Sequence, residues 1–242
     1  MGVTNAQRTL KTIRVLTETI SRPEYAHVML FNIVNEAYVT TIGQQAIGQF
    51  YLEAYETMRN ITGIGAGMGP FMVIHDGFVG LSTWDGFLSG ADRLSIESHY
   101  YFAFSPDDYE TDMYNMVTRP CQWWAGGFNQ STLDFGLTIG GEWSIAPNDC
   151  GLWLNAVGEG SFYDGTHSES DGTYYGSCDR WTNVFNFSDN FKSQLRDFTL
   201  ANMDTFQNFM FWSEFAYRLG TPYHLFIDLL PASQQPGRPS EA

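Results

Sequence analysis

The stretch His27-Val-Met-Leu-Phe-Asn-Ile-Val34, closing on Asn35-Glu36, decides how the chain is read. It is a continuous, mostly apolar run with no strict alternation, which suits a strand covered on both faces, as in a parallel sheet. The period changes on either side of it. From Asn5 to Arg22, the residues Ala6, Leu10, Ile13, Leu16 and Ile20 recur at helical steps, and Ile47, Phe50, Tyr51, Ala54 and Met58 predict a second helix. A glycine-rich break then leads to Phe71-Met-Val-Ile74, a second apolar run, which ends in His75-Asp76. Further strands are predicted at 94–101, 137–143 and 209–212, with helices at 109–117 and 191–208. Helices alternating with strands imply a parallel sheet with helices packed over it.

Composition narrows the function classes. The 242 residues carry 12 Lys and Arg against 27 Asp and Glu, a formal charge of −15. Such a surface repels phosphate backbones and anionic lipid, so no nucleic-acid and no membrane role is expected. Aromatic residues are abundant, with 19 Phe, 13 Tyr and 7 Trp, which suits a packed core and stacking surfaces for rings such as sugars. The N-terminus lacks the apolar core of an export signal. Asn60-Ile-Thr62, Asn129-Gln-Ser131 and Asn186-Phe-Ser188 are nonetheless glycosylation sequons and point to a secreted parent. Cys121, Cys150 and Cys178 allow one disulfide and one leftover thiol, in a spacing that matches no zinc site. The segment from Gly158 to Asn190, rich in Gly, Ser, Asp and Tyr, breaks the rhythm and reads as a functional excursion pinned through Cys178. The last residues, 226–242, read as a disordered Pro/Ser-rich tail following a single domain over 1–225.

Polar residues gather at the C-terminal ends of the predicted strands: Asn35-Glu36, His75-Asp76, His99 with Tyr101, Glu142-Trp143, and Trp212. In a parallel α/β barrel that edge holds the catalytic groups. Two carboxylates, one protonated and one ionised, are the minimum equipment for cleaving a glycosidic bond, and Glu36 and Glu142 are the candidates.

The local sequences carry a resemblance. Asn35-Glu36 resembles the "Asn-Glu-Pro" strand end of glycoside hydrolase family 5. Val73-Ile-His-Asp-Gly-Phe78 and the His99-x-Tyr101-x-x-Phe104 pattern resemble its fungal-type exo-β-1,3-glucanase (glucan 1,3-beta-glucosidase) branch. Gly141-Glu142-Trp143-Ser144, Asp149-Cys150, Trp153-Leu-Asn155, Tyr163-Asp-Gly165 and Gly176-Ser-Cys178 follow in that branch's order, so the likeness covers about residues 5–214. It implies an incomplete TIM (β/α)8 barrel, corresponding to about strands 4 to 8 with their helices. It also implies a retaining hydrolase that releases glucose from non-reducing ends of β-1,3-glucan. Glu36 would be the acid/base and Glu142 the nucleophile, about 5 to 5.5 Å apart as retention requires. Asn35 would hold the 2-hydroxyl, and His99 and Tyr101 would bond at the nucleophile. Phe104 would form one side of an aromatic entrance clamp, and Trp212 the floor under the sugar. Cys150–Cys178 would be the branch's local disulfide, and Cys121 a thiol whose partner has no counterpart here. No cofactor and no metal is implied, and the parent would be a monomer in the extracellular space or cell wall.

The same comparison shows departures. The family's fourth strand end arrives here at residue 35, leaving roughly 150 residues of an eight-stranded barrel without a counterpart. Ala37 stands where the family has Pro, and Ser213-Glu214-Phe215 departs from its pattern after Trp212. A partial barrel leaves strand edges unpaired, so the isolated chain is expected to be marginally stable and to hydrolyse little or no glucan. The alternatives are an inactive truncated or degenerate barrel that at most binds glucan, and a β-glucosidase or transglycosylase of the same family. The role of His75 is left open.

Overall fold

The structure is a computed structural model that describes residues 2–181 and 183–210. Trp212 and the tail at 226–242 lie outside the described residues. The chain forms two compact units: unit 1 holds residues up to Ser98 together with Gly126–Gly141, and unit 2 holds His99–Ala125 and the residues from Glu142 onward.

Unit 1 opens with α1 (Gly2–Ile20) and continues through β1 (Leu30–Asn32), the single turn α2 (Val39–Ile42) and α3 (Gln44–Thr62). β2 (Phe71–His75) and β3 (Leu94–Tyr100) follow. β4 (Thr138–Trp143) completes a sheet ordered β1-β2-β3-β4. β1 pairs with β2 and β2 with β3, both in parallel, with Asn32 opposite Val73, Val73 opposite Ser95 and His75 opposite Glu97. Ile96 N donates to Leu137 O at 3.0 Å, on the way into β4. Each strand takes its place beside the one before it, always on the same side. That order is singly wound, as in a barrel, and contains no reversal of the kind that marks a doubly wound sheet. The fold is thus an α/β arrangement with a partial parallel barrel sheet.

The helix predictions fall on α1 and α3. On α3 the buried residues are Ile47, Tyr51, Ala54 and Met58, at helical spacing, and the helix stops at Gly63, whose φ of +74° suits a glycine C-terminal cap. On α1 the buried face is Leu10, Ile13 and Thr17, whereas the predicted Leu16 is 43% exposed. Burying Thr17 in its place leaves no orphan hydroxyl, because its Oγ1 donates to Ile13 O at 2.7 Å. These faces, with Met72, Val73 and Ile74 of β2 and Trp84, make the core of unit 1.

β1 differs from its prediction. The run 27–34 was expected as a strand covered on both faces, yet only Leu30–Asn32 is strand, and all three residues are half-buried. Among the described residues β1 is an edge strand with a single neighbour, so its open side keeps its exposure. It ends where it does because Asn32 Oδ1 accepts from Val34 N at 3.3 Å, a local side-chain bond that turns the chain out of the ladder.

Unit 2 contains α4 (Pro106–Glu110), α5 (Met113–Met116) and α6 (Arg119–Trp123). α7 (Ala125–Asp134) begins at its boundary, and α8 (Asp189–Phe206) is its last described helix. The single helix predicted over 109–117 is therefore two shorter ones, separated by Thr111 and Asp112. The core is Phe102, Met116 and Phe198. Trp124 stacks between Phe102, at 4.1 Å, and Tyr100, at 4.5 Å. Residues 144–177 contain no helix or strand. Of the strand predicted at 209–212, Phe209 makes a bridge and the last two residues lie outside the described chain.

Candidate active site

In unit 1 the site residues follow the strand ends. Asn35 and Glu36 stand just beyond β1, past the turn set by Asn32. Glu36 has φ +48°, the left-handed region that a non-glycine side chain enters only where its surroundings impose it. Asn32 also reaches across β2 and donates from Nδ2 to Glu97 Oε1, a close contact between two side chains of the sheet's inner face. Glu97 is buried, and Gly141 on β4 makes room for it: a methyl group at 141 would run into the Glu97 carboxylate. The residue parity of β3 places Ser95, Glu97 and His99 on this same face.

His75, whose role the sequence left open, is fully buried at the end of β2. Its Nδ1 accepts from Gly77 N at 2.9 Å, which places the proton of the neutral ring on Nε2. Its backbone carbonyl accepts from Tyr51 Oη at 2.9 Å, and burial pushes the Tyr51 phenol up from its ordinary value. Beside it, Asp76 Oδ2 accepts from Ser98 Oγ at 3.0 Å and Asp76 O from Trp84 Nε1 at 2.9 Å. His75 and Asp76 thus fasten the turn after β2.

In unit 2 three predicted residues come together. Tyr101 Oη donates to Glu142 Oε2 at 2.9 Å, and His99 Nδ1 lies 3.5 Å from the same oxygen. His99 stands near the end of β3 and Tyr101 just past it, while Tyr100 and Phe102 between and beyond them both stack on Trp124. Both contacts fall on Oε2, and among the described residues no hydrogen bond falls on Oε1. The neighbouring Trp143 holds the end of β4, with its Nε1 donating to Met210 O at 2.9 Å. A carboxylate held at one oxygen by a phenol, with an imidazole close by, is fixed in orientation, as a carboxylate that takes part in displacement chemistry needs to be.

Phe104 is 57% exposed and meets the Tyr101 ring edge-on at 5.8 Å. It belongs to the wall of an open cleft of about 390 Å3. The far wall comes from the excursion, which is held by two devices. Cys150 is bonded to Cys178 across 28 residues, and Cys121 is a free thiol. Asp149 is the second device. It accepts from Ser161 Oγ at 2.5 Å, Phe162 N at 2.8 Å, Tyr163 N at 3.0 Å and Asn155 Nδ2 at 2.8 Å. Burial pushes its carboxyl up, but these four donors outweigh burial and leave it below the usual carboxylate range. Tyr109 is shifted upward, first by burial and then by the charges of Asp149 and Asp108.

The residues that sequence reasoning missed are Asn32 and Glu97; Asp149 and the excursion stand out in the sequence, but not the part that Asp149 plays in holding the excursion. One signal was available for Glu97, a lone acid two residues before His99 and so on its face of β3. Asp149 stands in the Asp149-Cys150 motif, but its role gives no signal in the sequence, since two of its four partners are backbone N–H groups.

No protein-family model matches the chain. It is 31% identical over 217 residues to a glucan 1,3-beta-glucosidase of Lachancea kluyveri, an alignment covering 86% of this chain and 48% of that protein. A glucan 1,3-beta-glucosidase of Schwanniomyces occidentalis is 26% identical over 215 residues, with 86% and 48% covered. Glucan 1,3-beta-glucosidase I/II of Saccharomyces cerevisiae is 28% identical over 221 residues, with 88% and 48% covered. The chain is therefore similar to these proteins over most of its own length, and it spans about half the length of the curated relatives it matches.

Proposed function

We propose that this chain is part of a retaining glycoside hydrolase that releases glucose from the non-reducing ends of β-1,3-glucan. The observation that carries the reading is the grip of Tyr101 and His99 on one oxygen of Glu142 at the end of β4. The similarity to glucan 1,3-beta-glucosidases supplies the substrate class. In this reading Glu142 attacks the anomeric carbon while Glu36 gives its proton to the departing glycosidic oxygen. Glu36 then takes a proton from water, whose oxygen bonds to the anomeric carbon and displaces Glu142, so the product keeps the β configuration. Tyr101 and His99 orient the attacking carboxylate, Asn35 holds the 2-hydroxyl, Trp212 floors the sugar and Phe104 guards the entrance. Because the relatives are about twice as long, the isolated chain should turn over glucan far more slowly than they do. A second reading, a portion that binds glucan without turnover, is favoured by that same coverage of 48%.

Leaving-group chemistry tests the assignment. A dinitrophenyl β-glucoside needs no proton on departure, so Glu36→Gln should spare its first step, giving a burst of dinitrophenolate followed by slow turnover as the base for water is missing, while stopping cleavage of a β-1,3-linked glucose hexamer. Glu142→Gln should stop both. Proton NMR should find β-glucose as the first product, and α-glucose, or turnover that survives Glu142→Gln, would defeat the reading.

A further inference from the structure

Glu97 lies on β3, between β2 and β4 in the sheet, and only 2% of its surface is exposed. A carboxylate is costly to bury unless hydrogen bonds compensate it. Part of the compensation comes from Asn32 on β1, whose Nδ2 donates to Glu97 Oε1 across the width of β2. Close packing holds the acid in place, since a methyl group at Gly141 would run into its Oε2.

That bond decides which way the Asn32 carboxamide points. Its two ends differ: Nδ2 only donates and Oδ1 only accepts. A carboxylate also only accepts, so the end facing Glu97 must be Nδ2, and Oδ1 is turned toward the chain beyond β1. There it accepts from Val34 N at 3.3 Å. With the carboxamide reversed, Nδ2 would face Val34 N, donor against donor.

The turn so made carries Glu36. Ile33 N still donates to Val73 O at 3.3 Å, so the chain leaves the ladder after Ile33, at the amide that Asn32 holds. Glu36 follows with φ +48°, a conformation that a non-glycine residue keeps only where its surroundings impose it. On its far side the segment is tied by buried Ala37 and by Val39 N, which donates to Gly77 O at 3.2 Å. Those ties begin after Glu36, whereas the Asn32 turn sets the backbone before it. Glu97, Asn32, Val34 and Glu36 all lie in unit 1.

We propose that Glu97 is a positioning residue for the acid/base: by holding Asn32 in one orientation, it fixes the turn that presents Glu36. This deepens the hydrolase reading and rests on Glu36 as the acid/base. Glu97 acts through Asn32 and the backbone, at one remove from the reacting atoms.

Residue-resolved amide exchange of the full chain, followed by NMR, tests the relay without any turnover. The Val34 amide should be protected in the wild type, and Glu97→Ala and Asn32→Ala should each lower its protection about tenfold, the worth of one net hydrogen bond. Protection of α3 should not move, which shows that the fold is kept. Glu97→Gln retains an oxygen that can accept from Nδ2 and should restore most of the protection. A Val34 amide that exchanges at its intrinsic rate in the wild type, or one unmoved by both alanine variants, overturns the proposal. Loss spread equally over α3 in both variants also overturns it.

Kinetics test the consequence for Glu36. Glu97→Ala should slow turnover of the β-1,3-linked glucose hexamer about tenfold or more while leaving the dinitrophenolate burst, the signature of a misplaced acid/base. Glu97→Gln should recover hexamer turnover. Equal loss on both substrates, or hexamer turnover unchanged, overturns the positioning role. A wild-type chain that cleaves neither substrate overturns the assignment of Glu36 instead, and the exchange result then decides the relay alone.

Discussion

Two stretches of the molecule reach order by different means. Between α1 and β3 the chain is periodic: Leu10, Ile13 and Thr17 face Ile47, Tyr51, Ala54 and Met58, and parallel strands pair in register behind them. Between residues 144 and 177 there is no regular element, and order comes from one buried carboxylate, one disulfide and a set of ring contacts. The first stretch distributes its stability over many small contacts. The second concentrates it in a few groups, and so it can carry a binding surface without the geometry of a helix or strand.

The contrast can be broken at either end. The largest effect should come from Ile74→Ala, a fully buried position of β2, which should cost about 2 to 5 kcal/mol by denaturant titration. Exchange of amides in the excursion should rise only as global unfolding does. Replacing both Cys150 and Cys178 by Ser should cost about 3 to 4 kcal/mol on the chain-entropy account. That loss should appear first as faster hydrogen exchange at 158–178, with the protection of α3 intact. Gly141→Ala, which drives a methyl group into the Glu97 carboxylate, should cost about 1 to 3 kcal/mol, and adding Glu97→Ala should relieve part of it.

The smallest effect is set by pH. Asp149 has a lower pKa in the folded chain than in the unfolded one, so the stability it contributes is fully present above its unfolded value, near 4. That contribution is lost as the pH falls from there through the folded value. Protection at 158–178, taken relative to the intrinsic exchange rate at each pH, should therefore fall below about pH 4 in the wild type, and Asp149→Asn should show that lower protection already at neutral pH.

What could be read from the sequence follows the same division. α1, α3, β2, β3, β4 and α8 are long enough for a period to show, and each has its predicted type. α4 and α5 have five and four residues, too few for a helical period. Their signals are caps: Ser105 with Asp108 forms a capping box, and Asp112 accepts from Asn115 N. α7 begins Ala-Gly-Gly, a composition that argues against a helix, and it is held instead by burial of Phe128 and Ser131. At the site, strand ends pointed to Glu36, His99 and Glu142, because polar residues after apolar runs are conspicuous. The Asn32–Glu97 contact crosses β2 between residues 65 apart, and only the register of the sheet reveals it.

Glu142 is the group proposed to bond to the sugar. A fluorosugar with a fluoride leaving group tests this directly, because fluoride departs without help from an acid and the fluorinated glycosyl-enzyme hydrolyses slowly. After incubation of the chain with such a β-glucosyl fluoride, peptide mass spectrometry should find one added fluoroglucosyl group, carried on Glu142 and absent from Glu142→Gln. An adduct on another residue, or none after prolonged incubation, would contradict the account.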